Sequence, residues 1–165
     1  MEDRYKSFLA VVIFGLFSSC ATSPEVDELN EKMETLQQQV ADSYKPGFGE
    51  FMSIVQVHHE KLWFAGTNAN WPLADFEVHE IEEIFEDLKQ FHAERKESEL
   101  LGMMDPALDS MDAAIGQQDT AMFRASYLLL TNTCNSCHIA TEHGFVVIKT
   151  PDTPPFSGQV FLPEN

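Results

Sequence analysis

Cys134-Asn135-Ser136-Cys137-His138 is the part of this chain whose residue types and spacing point most directly to chemistry. On a helix, side chains three residues apart share one face. Two thiols at that separation reach the two vinyl groups of one porphyrin, and the imidazole that follows brings a nitrogen to the iron from the same side. Cys-x-x-Cys-His is the attachment pattern of haem c. The expected chemistry is therefore one covalent haem c, held by thioethers to Cys134 and Cys137, with His138 as the proximal iron ligand. Other uses fit less well. A thioredoxin-like dithiol belongs at a helix N-terminus in a βαβ pattern, where the dipole favours thiolate; this pair follows a long apolar helix. A zinc site needs a fourth ligand, and there is no second cysteine pair. A structural disulfide leaves His138 idle.

Such a motif needs elements to hold it. Val26, Leu29, Met33, Leu36 and Val40 follow heptad spacing, which predicts a helix acting as a stalk or an oligomerisation seam, or packing on its own domain. Ser43-Tyr44-Lys45-Pro46-Gly47 breaks it. Four further helical segments follow. The first covers about 48–66, with Phe51, Met52, Val55, His59 and Leu62 on one side and a stop at Gly66-Thr67-Asn68. The second runs from Pro72 to about Glu94 on Phe76, Ile81, Ile84, Phe85, Leu88 and Phe91. The third has Asp105 as N-cap, Pro106 inside, the stripe Leu108, Met111 and Ile115, and its end at Gly116. The fourth starts near Asp119 and carries Phe123, Tyr127, Leu128 and Leu130 into Cys134. Short connections between amphipathic helices predict an all-α, antiparallel four-helix bundle. Beyond Gly144, prolines at 151, 154, 155 and 163 exclude a long helix, so the tail is extended.

In that topology the end of the last helix lies beside the start of the first, which nominates Met52, Val55, His58 and His59 for the other side of the iron. Met52 gives a His/Met site of raised potential suited to electron transfer. His59 gives a bis-His site, and both residues also suit plain core packing. If only Phe51 or Val55 face the metal, it is five-coordinate and open to NO or CO. A peroxidase is a weaker third reading, because no Arg neighbours His58 and His59 in sequence. His58 points away from the stripe, and His79, His92 and Lys61 read as solvated or capping groups. His143 follows the motif closely enough to touch a propionate, and Phe145 and Phe156 are candidates to cover the porphyrin. Trp63, Trp71 and Tyr127 read as core or turn anchors. Asp75, Glu77, Glu80, Glu82, Glu83, Glu86 and Asp87 read as a solvated face that can also dock a basic redox partner.

The chain has 165 residues, 10 Lys+Arg against 27 Asp+Glu, and a formal net charge of -17. That sign makes nucleic acid an improbable partner. Three cysteines make no disulfide framework in a chain of this length. Arg4 and Lys6, the apolar run Phe8 to Phe17, and Ser18-Ser19-Cys20 resemble a bacterial lipoprotein signal, with Cys20 as the lipidated residue; the alternative is an ordinary signal peptide with a chance cysteine. Either reading implies export, and lipidation adds a membrane anchor facing the periplasm or the cell surface. The expected organisation is a signal peptide at 1–19, lipidated Cys, linker and heptad helix at 20–43, the haem-binding bundle at 44–142, and the tail at 143–165.

A helical bundle with Cys134, Cys137 and His138 near the end of its last helix resembles the cytochrome c′ family and its low-spin relatives. The resemblance implies one haem c on the fourth helix. The stretches His58-His59-Glu60-Lys61-Leu62-Trp63-Phe64-Ala65-Gly66 and Asn70-Trp71-Pro72-Leu73-Ala74 look like an exported subgroup of such small haem proteins. His143-Gly144-Phe145 and Pro155-Phe156-Ser157 do as well. The heptad helix and the proline-rich tail depart from cytochrome c′ itself.

Overall fold

The computed structural model describes residues 23–43 and 46–164, and it divides the chain into two compact units between Lys45 and Pro46. Regular structure among the described residues is helical throughout, so the chain is all-α. Cys20 and the expected signal segment lie outside the described residues. Among those described, no helix is long and apolar enough to cross a membrane.

In the first unit, α1 (Pro24–Ser43) carries Glu25 and Asp27 in its first turn, where acids suit the helix dipole. Its heptad stripe from Val26 to Val40 is exposed.

The second unit holds α2 (Phe48–Thr67), α3 (Trp71–Phe91), the single turn α4 (Lys96–Glu99), a 3-10 turn (Leu101–Met104), α5 (Asp105–Gly116) and α6 (Thr120–Ala140). Helix α2 touches α3 and α6, and α5 touches α6 and α3. The start signals act locally: the Asn70 side chain accepts from the Leu73 N–H at 3.3 Å, and Asp119 accepts from Ala121 and Met122 at 2.8 and 3.0 Å. Asp105 does not cap α5. The 3-10 turn runs straight into that helix, and Asp105 is its first residue.

Gly66 does not stop α2 either. The reversal is made by Ala69, in the left-handed region at φ 58°, while Gly66 stays inside the helix. A Cβ on Gly66 would sit 2.2 Å from the Phe123 ring, so the missing side chain lets α6 approach α2 closely.

Some expected surface is core, and the reverse. Phe76 and Leu128, expected on apolar stripes, are exposed, whereas Ala74 and Val78 are buried; Leu130 is buried as its stripe predicts. Glu77 is fully buried and is not part of a solvated acidic face. His58 meets it at 2.6 Å through Nδ1 and Lys61, expected as a solvated lysine, lies 3.5 Å away, so an interior carboxylate holds both side chains.

The tail lies along this unit. Phe156 sits under the Lys61 ammonium, Phe161 is buried against Phe64, and the Leu162 carbonyl accepts from the Asn70 side chain at 3.2 Å.

Candidate cofactor cavity

Helices α2 and α6 run antiparallel in a register set by large side chains. Phe123 covers Gly66, Tyr127 lies against Trp63 and His59, and Thr131 reaches His59. One turn further, the same register brings Val55 and Met52 to the level of Cys134, Cys137 and His138.

Helix α5 does not extend that far. Its 12 residues span about 18 Å at 1.5 Å each, against about 31 Å for the 21 of α6. The two helices meet at Gln117–Gln118 and are joined by the Ser110–Ser126 hydrogen bond, so α5 runs out before α6 reaches its cysteines. Only α4 and the 3-10 turn follow there. The space left is a cavity of about 420 Å³, within the range of small-molecule and cofactor sites. Met52, Val55 and His59 line it from α2, Cys134, Cys137 and His138 from α6, and Phe85, Leu101 and Met104 add apolar wall. Arg95, Glu97, His143, Val146 and Ile148 also line it.

Each polar group has a defined role in this geometry. The His138 Nδ1 lies 2.7 Å from the Val146 carbonyl. A carbonyl only accepts, so Nδ1 carries a proton, and in the neutral tautomer Nε2 keeps the lone pair. Cys134 and Cys137 are free thiols in the last turns of α6. Burial, with Cys137 alongside, pushes the Cys134 thiol up to about 12, and burial with Glu97 nearby raises Cys137. Both therefore remain thiols at neutral pH, the opposite of a thiolate-based redox pair.

His59 is committed elsewhere. Thr131 Oγ1 donates to the Tyr127 carbonyl at 2.9 Å and so accepts from His59 Nε2, also at 2.9 Å. That leaves Nδ1 as an acceptor 3.0 Å from the Tyr127 hydroxyl, which shares its one proton between Nδ1 and the His59 carbonyl at 2.9 Å. Burial holds the imidazole neutral, its pKa lowered to about 4. Met52 carries no such obligation to a buried polar partner and is half-buried against the core.

Among the described residues, Arg95 is the only Lys or Arg lining the cavity. It bonds Glu97 at 2.6 and 3.2 Å and lies over the Phe48 ring, and these bonds keep the Glu97 carboxyl below the usual range. His143 lines the cavity, with Nδ1 donating to the Thr141 carbonyl at 2.7 Å. Phe145 and Phe156 do not line it; Phe145 is exposed, and Val146 and Ile148 take the places expected for them.

His92, read from sequence as a group at a helix C-terminus, is buried. Its Nε2 donates to the Pro46 carbonyl at 2.8 Å, and its ring meets Phe48 and Phe51 edge-on, which fixes the start of α2 and hence Met52.

Among the described residues no group of three or more His, Cys, Asp or Glu side chains forms a donor set for a bare metal ion. Comparison with protein-family models, with curated proteins and with solved structures finds no match to this chain.

Proposed function

We propose that this chain is an exported mono-haem c-type cytochrome, a four-helix bundle of the cytochrome c′ kind, that carries electrons with a low-spin, six-coordinate iron. The observation carrying this reading is the convergence, in one largely apolar cavity, of Cys134, Cys137 and a His138 whose Nε2 lone pair is available, with Met52 on the α2 side. The donor set fits the group. Two un-ionised thiols on one helix face would hold it, His138 would take the iron, and the apolar wall would exclude water. A haem c bound there supplies one reversible electron step.

Met52 would supply the second protein ligand to the iron. His59 would have to give up Thr131 or Tyr127 to reach the metal, leaving buried polar atoms unpaired at about 1–3 kcal/mol each. Arg95, paired with Glu97 in the structure, would be the cation for a propionate in a chain of net charge -17. Lipidation at Cys20 would keep the protein at a membrane facing the periplasm, and its acidic surface suits a basic redox partner.

The test is the full chain expressed in a host competent in cytochrome maturation. Expected are the mass of one haem, a low-spin ferrous spectrum insensitive to CO, and loss of that insensitivity in Met52→Ala. Colourless protein at the unmodified mass overturns the reading. Rapid CO binding by the wild type replaces the carrier with a five-coordinate NO- or CO-binding protein.

A further inference from the structure

The tail crosses the His138 side of the cavity without support from regular structure. Residues 145–149 form neither helix nor strand, and Phe145 and Val147 are 81% and 73% exposed, so little apolar burial holds this segment in register. Hydrogen bonds hold it instead, and they come from inside the Cys-x-x-Cys-His motif. The Asn135 carboxamide treats Ile148 as a neighbouring strand would: Nδ2 donates to the Ile148 carbonyl at 2.8 Å, and Oδ1 accepts the Ile148 N–H at 2.8 Å. Two residues upstream, the Val146 carbonyl receives the His138 Nδ1 proton at 2.7 Å. The intervening chain is folded back by the His143 N–H on the His138 carbonyl and the Val146 N–H on the His143 carbonyl, at 2.7 and 2.8 Å.

We propose that Asn135 is a positioning residue that, by clamping Ile148, holds the Val146 carbonyl on His138 and so sets the reduction potential of the iron. The inference rests on the haem reading above. The physics is that of an outer-shell hydrogen bond. A carbonyl drawing on Nδ1–H fixes the plane of the imidazole and gives the ring partial imidazolate character. Nε2 becomes the stronger donor and favours the ferric state, so the potential is lower than it would be for a freely turning ring. Asparagine suits the position because one planar amide satisfies both backbone groups of Ile148. Aspartate can satisfy only the N–H, and leucine neither.

The experiment uses the haem-loaded full chain and Asn135→Leu, which keeps both cysteines and His138. In reduced wild type, the His138 Nδ1 proton is expected as a slowly exchanging NMR resonance. In Asn135→Leu that resonance is lost, the Ile148 amide exchanges about tenfold faster or more for want of its partner, and the midpoint potential moves to a more positive value. Asn135→Asp keeps a partner for the Ile148 N–H but none for its carbonyl, so Ile148 amide exchange and Nδ1 protection should fall between the two, and these readouts serve if Asn135→Leu does not take up haem. A loaded variant with wild-type potential and an intact Nδ1 resonance overturns the clamp while leaving the haem reading standing. Wild type without covalent haem overturns the haem reading itself.

Discussion

Replacing Tyr127 by Phe removes a single oxygen atom from the middle of the second unit, where the side chain is fully buried. That hydroxyl has one proton and two acceptors on His59, the backbone carbonyl at 2.9 Å and Nδ1 at 3.0 Å. The carbonyl belongs to the interior of α2 and keeps its helical partner, so its loss is small. Nδ1 has no such reserve. The neutral imidazole has committed its proton to Thr131 through Nε2, so Nδ1 becomes a buried acceptor with nothing to accept, at about 1–3 kcal/mol. The ring contacts with Trp63 and Phe123 survive in Phe, which limits the cavity contribution to one oxygen. A loss of about 2 kcal/mol follows, read as a lower urea midpoint at unchanged slope. If the chain carries haem as proposed, its spectrum should not change, because Met52 and His138 are untouched. A loss below about 0.5 kcal/mol, the level of an ordinary surface substitution, together with an altered spectrum, would mean that His59 is not held by Tyr127 and is available to the metal.

Acidification tests the same imidazole. With the folded pKa lowered to about 4 and the unfolded value near 6.5, the unfolded chain binds a proton in that window that the folded chain does not. The contribution of His59 is whole above pH 6.5 and declines by about 3 kcal/mol as pH falls to 4; denaturation curves for wild type and His59→Phe should differ by that slope, and parallel curves refute a neutral, buried His59. Gly66→Ala sets a methyl 2.2 Å from the Phe123 ring and should cost about 1–3 kcal/mol in thermal melts; an unchanged melting temperature would refute the close approach of α2 and α6. If the α1 stripe joins copies of this chain, Leu29→Ser with Leu36→Ser lowers the sedimentation mass of the soluble protein, and an equal mass removes the seam.

Helix periods and some start signals were legible because they are local, although Asp105 and Gly66 were misplaced as cap and stop. Heptad spacing, the Pro residues at 72 and 106 and the Asp119 cap each act within a turn or two, and the helices lie close to where those signals put them. The motif and its opposite face were legible as well, since an antiparallel arrangement alone brings Met52 near Cys137. What depends on distant partners was not. Glu77 reads like any acid of its helix until α2 places His58 and Lys61 over it. His59 looks like a ligand until Thr131, 72 residues away, occupies its Nε2. Gly66 reads as punctuation because no local pattern announces an aromatic ring from another helix. Asn135 lay in plain view inside the motif, yet its partner is a backbone group, and backbone groups leave no mark in a sequence.

The tail that supplies Val146 and Ile148 follows every helix in the chain and reaches back to Asn70 across 92 residues. Contacts of such separation are the slowest to form, since loop closure must precede any reward. The far end of the tail therefore docks late, whereas the stretch beside the cavity, tied to His138 and Asn135 over only 8 and 13 residues, can settle as soon as α6 has formed.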